Sequence, residues 1–378
     1  MWRSPQLFVR IAVVNLTAGG LSGGYRKYLE TLLPLLAEDP AVAAVHAFMP
    51  GGVPLQVSGS RLFLERPFEP RRLGLPSGLE RGVLATNPDV VFVPTARVFA
   101  AGRVPCVVMV RNMEPLAAPF DGNTPAESLR NVLRAREARR ACLRATRVIA
   151  VSRYVKEFIA GRWRLDPRRI GVVYHGAGRP FSSAVAPPGL VAALAGRPFF
   201  FTAGSIRPAR GLEDLIDVFS RPEVREGAEM LVIAGSAPHA GEAYERRLRE
   251  AARSRGIESS IVWTGALSGE QMSWCYSHCA AFVMTSRVEA CPNVALEAMS
   301  HGCFCVSVDR EPMPELFAAA AVYYSAGDAA ALAAHLRMVA GGTASATLRE
   351  AARARAAAFD WTRTVADTVS ELRHAAAS

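Results

Sequence analysis

The feature that most constrains this chain is a repeated alternation of short, β-branched apolar runs with stretches of helical spacing. In the first half the runs are LFVRIAVVN, AVHAF, VVFVP, CVVMV, RVIAVS and IGVVY. After residue 198 the pattern restarts with FFFTAGS, MLVIAGS, IVWTG, AFVMTS, CFCVS and AVYY. Short continuous apolar runs fit strands buried on both faces. Helical candidates fill the gaps, among them YRKYLETLLPLLAED and GLEDLIDVFS. Strands alternating with helices predict parallel sheets wrapped by helices. The fold class is therefore α/β, with two Rossmann-like, doubly wound domains. The stretch RPFSSAVAPPGLVAALAGRP, residues 179–198, is rich in Pro, Ala and Gly and reads as the linker between them.

Length and composition agree with that division. A chain of 378 residues makes one large or two ordinary domains, and 50% hydrophobic with 21% charged residues supplies ample core. No apolar run reaches the roughly 18 residues needed to span a bilayer. The start, MWRSPQLFVRIAVVN, lacks a small-residue cleavage pattern and reads as a first strand, so a cytoplasmic location is expected. Seven cysteines, mostly within apolar runs, suit reduced core thiols better than a disulfide framework. The net charge of +10 is carried almost wholly by arginine, with Lys27 and Lys156 the only lysines. That charge favours acidic ligands such as nucleotides, or peripheral contact with an anionic membrane at its inner face.

In open α/β sheets, ligands sit beyond the carboxyl ends of the strands. The segments there are GGLSGG, RNMEP, HGAGRPF, GSIRPARG and SRVEACPN, and all are expected to face a cleft between the two domains. In GSIRPARGLEDLI, Gly204 and Gly211 permit unusual backbone angles, while Arg207 and Arg210 offer planar forks suited to a diphosphate. The plainer reading is a solvated loop in an arginine-rich protein. GGLSGG lacks the order of a dinucleotide fingerprint, and no lysine completes a P-loop. Around Gly20 its N–H groups could still approach a phosphate or sugar; a tight packing turn is the alternative.

The stretch EACPNVALEAMSHG places Glu289 and Glu297 eight positions apart, roughly 80° around a continuous helix, a poor arrangement for convergence. Pro292 fits best at the first helical position. Glu289 then lies in the loop and Glu297 within the helix, with backbone N–H groups of residues 290 to 293 between them. Glu289 could accept hydrogen bonds from sugar hydroxyls and Glu297 from a ribose. The alternative, that acids merely favour helix N-termini, fits Glu297 poorly because it falls beyond the first turn. His175 reads as a ligand contact or as a histidine satisfied in a turn. Cys275, His278 and Cys279 are close in sequence, but no second ligand pair with familiar zinc spacing accompanies them. No D-x-D metal motif occurs. Seven arginines between residues 130 and 147 spread around one helix, which reads as solvated rather than as a docking stripe.

These segments together resemble glycosyltransferase family 4, the large retaining group with the GT-B fold. SRVEACPNVALEAMSHGCFCVS is similar to its E-x7-E region, and TAGSIRPARGLEDLIDVF resembles its diphosphate loop. VIAVSRYVKEFIAGRWRLDPRRIGVVYHGAGRPF resembles its segment entering the linker. TGALSGEQMSWCYSHCAAFVMTS resembles the stretch near the nucleotide base, and FDWTRTVADTVSELR the final helix that crosses back to the first domain. The likeness is strongest from about residue 146 onward.

The resemblance implies an acceptor-side domain over 1–180, a linker over 181–198, a donor-side domain over 199–359 and a returning helix over 360–378. It implies that Glu289 contacts the donor sugar as a catalytic group, aided by the backbone at Ala290, Cys291, Pro292 and Asn293. Glu297 would hold the ribose and Leu267 would lie near the base. Where the family has an arginine and a lysine in the diphosphate loop, this chain has Ser205 and Arg210, so Arg207 is expected to supply the second cation. Where the family often has a histidine after the fourth strand, this chain has Arg111 and Asn112. Asn112 becomes a second catalytic candidate, with Glu114 and His175 as acceptor or sugar contacts. The implied activity is metal-independent, retaining hexosyl transfer from a nucleotide diphosphate sugar, with no cofactor. The acceptor would be a polysaccharide, a glycolipid or a small metabolite. A nucleotide-sugar epimerase or a phosphorylase could use the same fold, although phosphorylases carry a lysine for pyridoxal phosphate and the second half has none. A non-enzymatic polyanion-binding protein is the third alternative.

Overall fold

In the computed structural model the described residues are 8–17, 23–52, 55–69, 76, 78–117, 124–226, 228–237, 241–341 and 343–378. Gly20 lies outside them. The chain divides into two units. One comprises Met1–Leu116, Arg130–Gly176 and Asp360–Ser378; the other comprises Ala117–Leu129 and Ala177–Phe359.

The first unit is built on seven parallel strands: β1 (Val9–Val14), β2 (Val42–Phe48), β3 (Leu62–Leu64), β4 (Val90–Val93), β5 (Cys106–Val110), β6 (Arg147–Ala150) and β7 (Ile170–Val172). Their order is β3-β2-β1-β4-β5-β6-β7. The direction of winding reverses between β1 and β4, which pair in parallel with Ile11 opposite Val90. Both β4 and β5 are buried along their whole length, as their continuous apolar composition requires. The helix Gly23–Glu38 buries Tyr25, Tyr28, Leu29, Leu32, Leu33 and Leu36, the three-and-four spacing of one helical face.

The last helix, Trp361–Ala376, belongs to this unit. It buries Thr364, Val365, Thr368, Val369 and Leu372 at the same spacing. Thr364 donates to the Tyr174 carbonyl at 2.9 Å, and Arg147 Nε meets Glu371 Oε2 at 2.6 Å. A side chain at Gly176 would place its Cβ 2.4 Å from the Trp361 indole, so only glycine allows the indole to seat there.

The second unit has six parallel strands: β8 (Phe199–Ala203), β9 (Met230–Ala234), β10 (Ile261–Gly265), β11 (Ala281–Met284), β12 (Cys305–Val308) and β13 (Ala321–Tyr324). Their order is β10-β9-β8-β11-β12-β13, with the reversal between β8 and β11. Twelve of these thirteen strands coincide with the apolar runs; the short edge strand β3 does not. The Pro- and Ala-rich linker stretch contains a short helix, Pro188–Leu194. All seven cysteines are buried, and none is in a disulfide. No helix among the described residues is long and apolar enough to cross a membrane.

Candidate active site

The winding reversal in the second sheet lies between β8 and β11, the kind of position beyond strand carboxyl ends where open α/β sheets bind ligands. The loop after β8 carries Arg207 and Arg210; the loop after β11 carries Glu289. Backbone and side-chain bonds zip the two loops together. Arg287 donates its N–H to the Ala209 carbonyl at 2.8 Å, and Thr285 Oγ1 donates to the Arg210 carbonyl at 2.7 Å. Arg287 Nη2 also bridges to Glu213 at 2.5 Å and Asp214 at 3.4 Å in the first turn of the helix Leu212–Phe219. The Tyr244 hydroxyl donates to Glu213 and accepts from the Leu212 N–H at 3.0 Å. Burial pushes the Asp214 carboxyl above its ordinary value, against the opposing pull of Arg287.

The outcome of this zipping is one ion pair. Arg210 Nη1 lies 2.7 Å from Glu289 Oε1 and 3.1 Å from Ser286 Oγ, which accepts from it. The two charged side chains are 14% and 17% exposed, shielded enough that water does not screen them fully. Gly204 makes room for the arginine. Its φ is +128°, and a Cβ there would sit 2.3 Å from Arg210 Nη2. Arg207, at the junction into the one-turn segment Pro208–Arg210, is part-buried in the same loop.

The helix Asn293–Ser300 begins one residue later than the sequence suggests. Pro292 has an extended ψ of 118° and caps the helix from outside instead of filling its first turn. Glu289 is nevertheless in the loop and Glu297 in the helix, as the placement of the proline requires. Ala290 and Cys291 are buried between them, and Asn293 is part-buried. The Tyr276 hydroxyl donates to Glu297 Oε2 at 3.1 Å. Burial, with the Glu297 charge second, lifts the Tyr276 phenol well above its ordinary value, so it stays a donor. Leu267 is part-buried after β10 and precedes Ser268, which caps the helix Gly269–His278 in a reciprocal capping box with Gln271. His278 stacks on Trp274, and its Nδ1 bonds to the Trp274 carbonyl at 2.8 Å.

In the first unit, Asn112 is exposed and its Oδ1 accepts from the Glu114 N–H at 3.1 Å, a local turn after β5. His175 is buried with its ring centroid 4.9 Å from that of Tyr28. Arg111, beside Asn112, lies over the Tyr25 ring at 3.9 Å. Sequence reasoning did not single out Tyr25, Tyr28 or Tyr276. The first two lie in the helical candidate YRKYLETLLPLLAED, and Tyr276 lies in the stretch that resembles the family's region near the nucleotide base.

Two family models match the chain. One described as glycosyl transferases group 1 covers residues 192–355, and one described as glycosyltransferase family 4 covers residues 22–177. Solved structures share the fold over nearly the full length. Sucrose-phosphate synthase from Thermosynechococcus elongatus is 17% identical, covering 97% of this chain and 98% of that one, with a TM-score of 0.71. HepE from Anabaena in complex with UDP-glucose is 18% identical, covering 96% and 100%, with a TM-score of 0.71. A glycosyltransferase from Rickettsia africae is 14% identical, covering 97% and 98%, with a TM-score of 0.73. A search of the curated proteins gave no match.

Proposed function

We propose, because the chain belongs to the family 4 glycosyltransferases with the GT-B fold, that it moves a hexose from a UDP- or GDP-sugar to a glycan, glycolipid or small-metabolite acceptor with retention of configuration. The observation that carries this reading is the Arg210–Glu289 pair at the winding reversal of the second sheet. It joins a cation suited to a departing diphosphate to a carboxylate suited to sugar hydroxyls. In the reaction the bond from the anomeric carbon to the diphosphate oxygen breaks. A bond to the acceptor oxygen forms, and the acceptor's proton leaves with the diphosphate. Negative charge grows on the leaving group, where Arg207 and Arg210 stabilise it. Glu289 binds the sugar, Glu297 the ribose, and Leu267 packs near the base, with the backbone at Ala290, Cys291 and Asn293 adding polar contacts. Asn112, Glu114 and His175 are assigned to the acceptor side. The two arginines supply the charge that a metal would otherwise bring, so no cofactor is invoked.

UDP-glucose, present in the HepE complex, is the first donor to try. A screen of nucleotide sugars for acceptor-free nucleotide release, run with and without EDTA, tests the reading. Release in both conditions supports it; a donor set that is neither turned over nor protective against heat overturns it.

Peripheral contact with an anionic membrane is supported by the helix Pro125–Arg144. It exposes Leu129 and Leu133 among Arg130, Arg134, Arg136, Arg139, Arg140 and Arg144. Exposed leucines beside arginines suit insertion at a charged lipid surface better than a purely solvated face.

A further inference from the structure

Three adjacent strands of the first sheet, β1, β4 and β5, each deliver a polar residue just beyond their carboxyl ends: Asn15, Thr95 and Arg111. Among the described residues, a buried atom of each has no hydrogen-bond partner: Asn15 Nδ2, Thr95 Oγ1 and Arg111 Nε. Tyr28 adds a fourth, its hydroxyl oxygen. Asn15 and Tyr28 are 0% exposed, so bulk solvent does not reach them.

The groups are linked. Asn15 Oδ1 accepts from the Thr17 N–H at 3.1 Å, from Thr17 Oγ1 at 2.7 Å and from the Tyr25 hydroxyl at 3.2 Å. Its carbonyl side is fully used, and its amide NH2 is left over. The Arg111 guanidinium lies 3.9 Å from the Tyr25 ring centroid and 5.9 Å from that of Tyr28. Among the described residues no carboxylate pairs with it. Burial pulls its pKa down, with Tyr25 and Tyr28 opposing. Stacking on a tyrosine face compensates part of the cation's charge but satisfies none of its N–H groups. Buried polar groups are almost always paired, so several left unpaired beside one another call for a partner such as an ion, a water or a ligand.

The unspent atoms are donors or hydroxyls, and a cation stands among them. That chemistry is complementary to an oxyanion. We infer that the carboxyl edge of the first sheet holds a carboxylate or phosphate, with the Arg111 fork as its cation and Asn15 Nδ2 and the Tyr28 hydroxyl as neutral donors. Resting on the transferase reading, this makes the acceptor an anionic molecule, a sugar acid or a phosphorylated sugar. The donor's own phosphates are assigned to Arg207 and Arg210 in the other unit.

The test fills the donor site first. Wild-type protein saturated with UDP is titrated with inorganic phosphate, with acetate and with chloride at matched ionic strength, and the melting midpoint is followed. The expected result is a saturable rise with phosphate or acetate and none with chloride. A response to phosphate alone assigns a phosphoryl group; a response to acetate assigns a carboxylate. Arg111→Gln should weaken that response at least tenfold and leave the response to UDP intact. Arg111→Met serves the same purpose should the glutamine variant fold poorly. The inference is overturned if neither anion outperforms chloride on the wild type, which needs no variant, or if both variants respond as the wild type does. No response to UDP alongside an Arg111-dependent response to phosphate would remove the donor reading and leave the anion site standing.

Discussion

Arg210 Nη1 lies 2.7 Å from Glu289 Oε1, so a cation from one βα loop and a carboxylate from another hold each other in place. Glu289→Gln preserves the shape and removes the charge. Turnover should fall on the order of 10²-fold or more, as for loss of one group that stabilises developing charge. Nucleotide binding and the melting midpoint should change little, since the residue is in a loop. Kinetics and calorimetry on the same variant check this. Equal loss of binding and folding would mean that the glutamate is structural.

Gly204 is the counterpart of that pair. Its positive φ and the 2.3 Å approach of Arg210 Nη2 leave no room for a methyl group. Gly204→Ala should displace the guanidinium and weaken UDP binding by about tenfold, or about 1.4 kcal/mol. Gly161→Ala is the control, because a Cβ there meets nothing within 4 Å. Calorimetric Kd values for the two variants decide the matter.

Burial pushes the thiols of Cys106, Cys142 and Cys275 up to about 12 from 9.0. Unfolding exposes them and restores the ordinary value. Between the two values the unfolded chain binds fewer protons than the native one, so stability falls as pH rises. Their contribution is complete below pH 9 and is lost towards 12. Melting midpoints should therefore drop steeply above pH 9, and a disulfide exchange reagent should label these thiols only on unfolding.

Glu371 and Arg147 are 14% and 21% exposed and bond at 2.6 Å. Glu371→Ala leaves the arginine poorly compensated and should destabilise the first unit by about 3 kcal/mol, the lower end for a buried pair because some solvent remains. Denaturant unfolding monitors the loss. A double variant with both residues apolar should recover much of it.

The exposed Leu129 and Leu133 on the arginine-rich helix predict co-sedimentation with vesicles containing anionic lipid but not with neutral ones. Leu133→Glu should reduce the bound fraction several-fold, and high salt should abolish it. Equal sedimentation with both vesicle types would remove the membrane reading.

Strand positions were legible because both sheets are parallel and their central strands β4, β5, β8, β9, β11 and β12 are buried along their whole length, which writes them as unbroken apolar runs. Leu62–Leu64 escaped because its apolar run is only three residues long and lies at the edge of the sheet, with Phe63 and Leu64 exposed. The positions of Arg210, Glu289 and Glu297 were legible in outline, since glycine, proline and strand ends place them in a loop, a loop and a helix. The Arg210–Glu289 contact was not, because the two residues are 79 positions apart and meet through a strand order that no local pattern encodes. Tyr25 and Tyr28 hid in a helical stripe that packing alone explains. Their polar ends matter only because Asn15 and Arg111 arrive from other strands.

The helix Trp361–Ala376 carries a consequence for biosynthesis. Its anchors on the first unit reach back 224 residues from Glu371 to Arg147 and 190 from Thr364 to Tyr174. The sheet that leaves the ribosome first is thus completed last, after the whole second unit has been made. Until then the face of the sheet that this helix will cover, through Val365, Val369 and Leu372, is open to chaperones. A nascent chain interrupted before residue 360 would therefore be marked for disposal through its earliest-made domain.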